Sequence, residues 1–357
     1  MIYLQALRAS CGKGRAAKYP LCYNPLRLFQ RKAQAMVRIG FIGAGGIARH
    51  HMETLAKIDK AEIAAIADVR KEAACEASSK YGGAVYTDYS RMLEKENLHA
   101  VYICVPPDAH GAMEIEAAGK GLHLFVEKPV NIDVRQALEI ADVIEKAGVI
   151  AVPGYTLRYM SFFEQLKALL QNAPPVRQAL VTRWGGLPKT PWWRKMRSSG
   201  GQLVEMVTHQ IDLLRAVIGD IAKVYAAYTY AHNEPEADVP SHYNAVLEFA
   251  GGAAALFSTN CASAAGRNDM VLVTDKANIE VNYGKGVAVK PEGFLELPES
   301  PSVPGIDQCF VEAVASRNRS LLKSDYRDGV RSLAVTLACN LSAQQGRPVA
   351  VDELMDA

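Results

Sequence analysis

Short apolar runs alternate with amphipathic stretches along the first half of the chain. The runs cover Val37–Ile42, Ile63–Ala67, Ala100–Cys104, His123–Val126 and Val149–Val152. Between the last two runs, the segment Asp133–Lys146 carries its apolar residues on one helical stripe. This alternation predicts a parallel sheet with right-handed helical crossovers, and the nearly unbroken apolar strands indicate a sheet covered on both faces.

The pattern changes after about residue 157. Helical periodicity predicts helices at Tyr159–Leu170, Gln202–Val217, Gly305–Ser316 and Tyr326–Gln345. Strand patterns with few helices between them cover Val224–Tyr230, Asn244–Phe249, Ala253–Asn260, Met270–Thr274 and Asn278–Tyr283. We therefore predict an α/β protein with a doubly wound parallel sheet over residues 36–156, followed by an α+β domain with an open, mostly antiparallel sheet over residues 157–357.

Composition narrows the class of protein. The 357 residues carry a net charge of +2 and contain no apolar run of the length that a membrane span requires, so neither a nucleic-acid nor a membrane partner is expected. The seven cysteines are scattered and include no C-x-x-C pair. Their spacing predicts neither a disulfide framework nor a zinc site, and it favours reduced core cysteines in a cytoplasmic protein.

The first 35 residues differ in charge from the rest of the chain. They contain seven Lys or Arg residues and no Asp or Glu. An Arg-rich, acid-poor leader is weakly typical of an organellar transit peptide. We favour the simpler interpretation that it lies upstream of a true start at Met36, directly before the first strand, and we expect little order in it.

A glycine-rich loop follows the first strand, with the sequence Gly43-Ala44-Gly45-Gly46-Ile47-Ala48. In a G-x-G-x-x-A loop, the first glycine permits a tight turn, the second lets the backbone approach a pyrophosphate, and the alanine allows close helix–strand packing. Gly46 and Ile47 then begin a helix whose N–H groups point at the anion. Because the loop lies between a strand and a helix, it predicts dinucleotide binding.

The second strand ends at Asp68, whose carboxylate can accept hydrogen bonds from the adenosine ribose. Its charge would repel a 2′-phosphate, which favours NAD. Arg70 could instead bind such a phosphate, so NADP remains the alternative cofactor.

Several further segments resemble one family in their order and spacing. They are Cys104-Val105-Pro106-Pro107-Asp108-Ala109-His110, Glu127-Lys128-Pro129, the run from Gly154 to Tyr159, Ser199-Gly200-Gly201-Gln202, the helix Glu205–Asp212 and the run from Ser342 to Val349. Over Val37–Val351 the chain resembles the glucose–fructose oxidoreductase / inositol dehydrogenase (Gfo/Idh/MocA) family. The resemblance implies a Rossmann domain, and then an open sheet that carries the substrate and often builds homo-oligomers. It also implies reversible hydride transfer between nicotinamide and a sugar, polyol or related hydroxy compound.

The resemblance also implies a catalytic pair, Lys128 and His209, that flanks the reacting carbinol. A base works best with a pKa near the ambient pH, which suits histidine, and a lysine can stabilise developing alkoxide charge. Glu205 lies four residues before His209 and is expected to share its helix face. It would then orient the imidazole, contact the substrate or pair on the helix surface. No metal site is expected, because Glu-x-x-x-His lacks the second histidine of H-E-x-x-H.

Other positions receive less specific roles. Glu127 is expected to support the cofactor or Lys128, and the peptide before Pro129 is often cis in the family. Pro106 and His110 follow the third predicted strand, where the cofactor binds in such sheets, although His110 could equally make a structural hydrogen bond. Candidate substrate contacts, which could otherwise be packing residues at the domain junction, are Tyr155, Arg158, Trp192 and Trp193.

Two other functions use the same fold. Some relatives hold NAD tightly and cleave a glycosidic bond through transient oxidation. A non-catalytic dinucleotide sensor is the second alternative, and the presence of both Lys128 and His209 argues against it.

Overall fold

The computed structural model describes residues 36–231, 234–283 and 286–356. The two interpretations of the basic leader concern residues 1–35, which lie outside the described part of the chain. Within that part, no helix is long and apolar enough to cross a membrane.

The first sheet is built from six parallel strands. Its strands are β1 (Val37–Ile42), β2 (Ala61–Ala67), β3 (Ala84–Tyr86), β4 (Ala100–Ile103), β5 (His123–Val126) and β6 (Ala151–Pro153). Its helices are α1 (Gly46–Leu55), α2 (Lys71–Tyr81), α3 (Tyr89–Lys95), α4 (Ala112–Gly119) and α5 (Val134–Ala147). The strand order β3-β2-β1-β4-β5-β6 confirms the predicted doubly wound Rossmann sheet. The order reverses at β1 and β4, so a crevice for ligands opens at their carboxyl ends.

The second sheet has eight strands. The remaining strands are β7 (Val176–Trp184), β8 (Ile221–Thr229), β9 (His242–Phe249), β10 (Ala254–Asn260), β11 (Arg267–Thr274), β12 (Asn278–Asn282), β13 (Gly286–Lys290) and β14 (Val349–Ala350). The remaining helices are α6 (Ser161–Asn172), α7 (Met196–Ser199), α8 (Gln202–Glu205), α9 (Thr208–Ile218), α10 (Ile306–Ser316), α11 (Tyr326–Gln345) and α12 (Asp352–Met355). The strand order is β13-β12-β11-β7-β10-β9-β8-β14, and only β7 and β10 among these pairs run parallel. The predicted open, mostly antiparallel sheet is confirmed.

Apolar side chains attach α10 to the first sheet, although this helix belongs to the second half of the chain. The Tyr102 ring stacks on Phe125 with centroids 4.4 Å apart, and Phe310 of α10 packs edge-on against both rings. The division of the chain at residue 156 into two domains stays a prediction, because α10 contributes to the core of the first sheet.

Candidate active site

The glycine-rich loop after β1 presents open backbone to the crevice. Gly43 has a φ of +95°, and a Cβ there would lie 2.3 Å from the carbonyl oxygen that follows β4, so only glycine fits. A Cβ on Gly45 or Gly46 would meet nothing within 4 Å. Ile47 is exposed, while Ala48 is fully buried where α1 packs on the sheet. This geometry suits a pyrophosphate at the amino end of α1.

Asp68, just after β2, is held beside this loop by backbone donors. Its Oδ2 accepts a hydrogen bond from the Ala44 N–H (2.9 Å), and its Oδ1 accepts one from the Arg70 N–H (2.8 Å). Each carboxylate oxygen retains a lone pair that a ribose hydroxyl can use. The Arg70 side chain is 71% exposed and its Nε lies 3.7 Å from Asp68 Oδ1. Asp68 and Arg70, the two residues expected to decide between NAD and NADP, are therefore neighbours.

Pro106 and His110 lie around a short 3-10 turn after β4. Pro106 is half-buried at the start of this turn. His110 is buried, and its Nδ1 lies 2.5 Å from Glu114 Oε1. The other Glu114 oxygen accepts a hydrogen bond from the Gly111 N–H (2.7 Å). His110 thus makes the structural hydrogen bond that was one of its two expected roles.

Glu127 belongs to a buried cluster that joins three elements. His51 of α1 donates from Nε2 to Glu127 Oε1 (2.9 Å) and from Nδ1 to Asp307 Oδ1 of α10 (2.7 Å). The second oxygen of Glu127 accepts a hydrogen bond from the Lys128 backbone N–H (3.0 Å). Burial disfavours a charged ring, yet these two carboxylates outweigh it and raise the pKa of His51 to about 9. A protonated His51 therefore supports the loop that carries Lys128.

This cluster predicts a pH-dependent stability. Because the pKa of His51 rises from an ordinary 6.5 to about 9 on folding, its contribution is complete below about pH 6.5 and is lost as the pH rises through 9. The rise corresponds to about 3 kcal/mol of unfolding free energy. We expect the free energy of unfolding from urea titrations to fall between pH 6 and pH 10 by less in His51→Gln than in the wild type. The exposed neighbour variant His50→Gln should behave as the wild type, and identical pH dependence in all three proteins would contradict the assignment.

Lys128 reaches from the end of β5 to α8. The Lys128–Pro129 peptide is cis, as the family resemblance implied. Lys128 Nζ donates to Glu205 Oε1 (2.8 Å) and to the Glu205 carbonyl oxygen (2.9 Å). Burial disfavours the ammonium charge, but the carboxylates of Glu205 and Glu127 raise the pKa of Lys128 above its usual range. Lys128 is therefore a cation and a hydrogen-bond donor at neutral pH.

His209 lies half-buried in the first turn of α9. Its ring meets the buried Tyr155 ring edge-on, with centroids 6.1 Å apart, and the Tyr155 hydroxyl lies 3.0 Å from Thr208 Oγ1. Among the described residues, His209 Nδ1 has no hydrogen-bond partner. Burial and the positive charges of Lys128 and Arg183 lower the pKa of His209 to about 3. The expectation of a near-neutral pKa for this base is therefore wrong. The ring is neutral at pH 7, with one nitrogen free to accept a proton.

Glu205 does not share a continuous helix with His209. The predicted helix over Gln202–Val217 is two helices, since α8 ends at Glu205 and α9 begins at Thr208. The Glu205 carboxylate instead accepts from Lys128 and, through Oε2, from Trp193 Nε1 (2.5 Å). Of the three roles considered for Glu205, pairing on the helix surface does not describe this carboxylate, because the donors Lys128 and Trp193 hold it inside the protein.

Arg158 and Trp192 lie in different surroundings. Arg158 is buried and binds Asp212 with both Nε (2.7 Å) and Nη2 (2.6 Å), while Nη2 also lies 2.7 Å from Asp328. Trp192 is partly buried in a small apolar cluster around Val239. Among the described residues, neither side chain forms a hydrogen bond or an ion pair with Lys128, Glu205 or His209.

Sequence reasoning missed His51, Asp307 and Arg183. A histidine within the buried stripe of α1 is the signal that could have identified His51, because its neighbours on that stripe are apolar core residues. Asp307 lies in α10, which was predicted as a helix but not as a neighbour of the first sheet. Arg183 lies in β7, a strand that was not predicted.

Two family models match the chain. Residues 37–155 match the oxidoreductase family with an NAD-binding Rossmann fold, Gfo/Idh/MocA, and residues 176–280 match the C-terminal domain of the same family. Together they cover the first sheet and the strands from β7 to β11 of the second sheet.

Individual proteins agree with this result. An uncharacterised oxidoreductase, YrbE of Bacillus subtilis, is 26% identical over 329 residues, which are 88% of this chain and 96% of that protein. Myo-inositol 2-dehydrogenase of Thermotoga maritima is 31% identical over 192 residues, 53% of this chain and 58% of that protein. The structure of levoglucosan dehydrogenase in complex with NADH superposes with a TM-score of 0.77 at 19% identity, over 88% of this chain and 99% of that one. Because the family models match both the first sheet and most strands of the second, this chain belongs to the Gfo/Idh/MocA family of NAD-binding oxidoreductases.

Proposed function

We propose that this protein transfers a hydride between NAD and a carbinol carbon of a sugar, polyol or related hydroxy compound, with Lys128 and His209 on the reacting oxygen. Hydride transfer is the chemistry of the family and of its dehydrogenase members. The observation that carries the residue assignment is that Lys128, anchored as a cation by Glu205, is close enough to His209 for its charge to help lower the pKa of that ring.

The crevice fits a dinucleotide. The open positions at Gly45 and Gly46, the amino end of α1 and the anchored carboxylate of Asp68 line the carboxyl edge of β1 and β2. NAD bound in this crevice would supply the hydride acceptor for oxidation, and NADH the hydride donor for the reverse reaction. Pro106 and the loop that begins at Glu127 follow β4 and β5 at this same edge, and they would help to hold the cofactor.

The two catalytic side chains handle the proton. The substrate hydroxyl donates its hydrogen bond to the free nitrogen of His209 and accepts one from Lys128 Nζ. As the hydride leaves the carbinol carbon, the hydroxyl proton moves to His209, and Lys128 stabilises the negative charge that develops on oxygen. Trp193 and His51 act indirectly, since they hold Glu205 and Glu127, which in turn hold Lys128.

A substrate screen tests this function. We expect NADH to form when the protein is mixed with NAD and a panel of inositols, sugars and sugar acids. Cleavage of a glycoside without net NADH would instead support the NAD-dependent glycosidase, and NAD binding without either reaction would support the sensor.

Cofactor choice depends on Asp68. In Asp68→Ser we expect NAD to bind at least about tenfold more weakly, because a charge-assisted hydrogen bond to the ribose is lost. We also expect the affinity for NADP to rise relative to that for NAD. Dissociation constants from fluorescence titration measure both effects. Asp68→Asn keeps an acceptor for the loop N–H groups without the charge, and the exposed Asp59→Ser serves as a control. Tighter binding of NADP than of NAD by the wild type would contradict the assignment.

We also propose that the open face of the second sheet joins two copies of the chain. Leu180, Leu256, Val246 and Tyr225 are register partners on four adjacent strands, and Leu180, Leu256 and Tyr225 are 40–46% exposed. An exposed apolar face in the middle of a sheet suits a twofold interface, in which both copies present the same patch. The cytoplasmic location that the cysteine pattern favoured stays a proposal.

Charge on this face is expected to separate the copies. Leu256→Arg would place a cation in a desolvated interface, so we expect it to run as a monomer where the wild type runs as an oligomer. Light scattering after size exclusion measures the mass, and Leu321→Arg, at an exposed leucine elsewhere, is the control. A monomeric wild type at micromolar concentration would refute the proposal.

A further inference from the structure

Arg183 is a half-buried cation without a carboxylate partner in the part of the chain that the structure describes. It lies in β7, where the alternation of side chains puts it on the same face as the buried Ala179 and Val181, towards the covering helices. Its Nη1 donates to the Trp184 carbonyl oxygen (3.2 Å), and its Nη2 lies 3.7 Å from Met206 Sδ. Neither is an anion, so the charge of the guanidinium is not balanced by these contacts.

Comparison with the other described arginines shows that the lack of a carboxylate partner is unusual in this protein. In the described residues, each other arginine that is not exposed lies within 4.0 Å of an Asp or Glu oxygen; these are Arg38, Arg49, Arg158, Arg194, Arg215 and Arg327. A cation that leaves water without an anion loses solvation free energy and gains no ion pair in return. Among the described arginines that are not exposed, the lack of an acidic partner is therefore specific to Arg183.

Uncommitted polar groups surround this arginine. The Tyr283 hydroxyl, His209 Nδ1 and Gln210 Oε1 are buried without a hydrogen-bond partner among the described residues. Burial and the charge of Asp269 raise the pKa of Tyr283, and the charge of Arg183 opposes that rise. The same guanidinium charge lowers the pKa of His209, so both rings lie within electrostatic range of Arg183. Asn268, the register partner of Arg183, accepts a hydrogen bond from Gln210 Nε2 (3.3 Å).

We propose that Arg183 binds an anionic oxygen group of the substrate, a carboxylate or a phosphate, so that the enzyme acts on acidic sugars or polyols in preference to neutral ones. This inference rests on the proposed function. The planar guanidinium fork matches the two oxygens of such a group. The Tyr283 hydroxyl and the Gln210 amide are the neighbouring polar groups that such a ligand would meet.

An anion there would also act on the proton acceptor. Arg183 is one of two cations that disfavour a proton on His209. A negative group bound to Arg183 offsets that repulsion, so an acidic substrate makes the imidazole a better acceptor than a neutral substrate does.

Binding to the NAD-saturated protein tests the anion site directly. Saturation with NAD keeps the probes, malonate and inorganic phosphate, out of the cofactor crevice. We expect calorimetry to show that one of them binds the wild type and binds Arg183→Gln at least about tenfold more weakly, the cost of one charge-assisted pair. Arg183→Lys keeps the charge and should bind with intermediate affinity if loss of charge rather than misfolding is the cause. Arg177→Gln removes an exposed arginine from the same strand and should bind as the wild type. Equal binding by wild type and Arg183→Gln, or none by the wild type, overturns the inference.

Turnover separates this inference from the function on which it rests. We expect kcat/KM with NAD to be higher for D-glucuronate or D-glucose 6-phosphate than for D-glucose, and the preference to disappear in Arg183→Gln. The acid that is preferred distinguishes a carboxylate from a phosphate. Turnover of neutral sugars that equals that of the acids, and is unaffected in Arg183→Gln, overturns the inference and leaves the proposed function intact. Anion binding that depends on Arg183, without NADH from any substrate, supports the anion site and refutes the proposed function.

Discussion

Replacing Lys128 with methionine is expected to lower turnover by at least about 10²-fold while NAD still binds. The ammonium group is held by both the side chain and the backbone carbonyl of Glu205, and its pKa is raised, so it remains a charged donor throughout the neutral range. Methionine has a similar length but cannot donate to the reacting oxygen. The developing alkoxide then loses its main electrostatic stabilisation, and the loss falls on the chemical step.

Steady-state NADH formation measures this effect, and titration with NAD controls for damage to the crevice. Lys146→Met, at an exposed position of α5, should leave both properties unchanged. Glu205→Gln is expected to be milder, since it keeps a hydrogen-bond acceptor for Nζ and removes only the charge. If Lys128→Met turned over at a near-normal rate, Lys128 would have no part in the mechanism.

The first sheet could be predicted because its central strands are buried over most of their length. β1 and β5 have the predicted bounds, since both faces of each are covered and an apolar run marks each strand. β3 was not predicted, because three residues at a sheet edge carry too short a pattern. The same local reasoning located the glycine-rich loop and Asp68, which lie within one strand–loop–helix unit.

The second sheet shows where such reasoning fails. β7 has one face in the core and one face open, and its sequence Val176-Arg-Gln-Ala-Leu-Val-Thr-Arg-Trp mixes polar and apolar residues on both faces. Its place in the centre of the sheet depends on pairing with β10 and β11, which lie about 80 residues further along the chain. A local pattern holds no information about those partners, and Arg183 was missed with the strand.

In the candidate site, too, local sequence patterns identified residues but not their tertiary contacts. Lys128 and His209 were identified from motifs, but the ion pair of Lys128 with Glu205 and the ring contact of His209 with Tyr155 were not. Glu205 was expected beside His209 because the two are four residues apart, whereas the structure pairs it with Lys128, 77 residues away. The break between α8 and α9 and the buried ammonium decide this contact, and both are tertiary effects.

Replacing His209 with asparagine is also expected to reduce turnover by at least about 10²-fold with NAD binding retained. Asparagine is close in size and still forms hydrogen bonds, so it fills the space beside Tyr155. Its amide cannot take up the hydroxyl proton at neutral pH, whereas the neutral imidazole has a free nitrogen for it. The proton must then reach water from a half-buried oxygen, which slows oxidation even where the hydride acceptor is in place.

The double variant Lys128→Met/His209→Asn distinguishes a shared site from two separate ones. If both side chains act on one oxygen, the double variant should lose less than the product of the two single losses, because groups that act as a unit are not additive. Single-turnover measurements with bound NAD isolate the chemical step, and the exposed His50→Asn controls for histidine loss near the crevice. Strict multiplication of the two losses would mean that Lys128 and His209 serve different steps. Near-normal turnover in His209→Asn would show that another group accepts the proton.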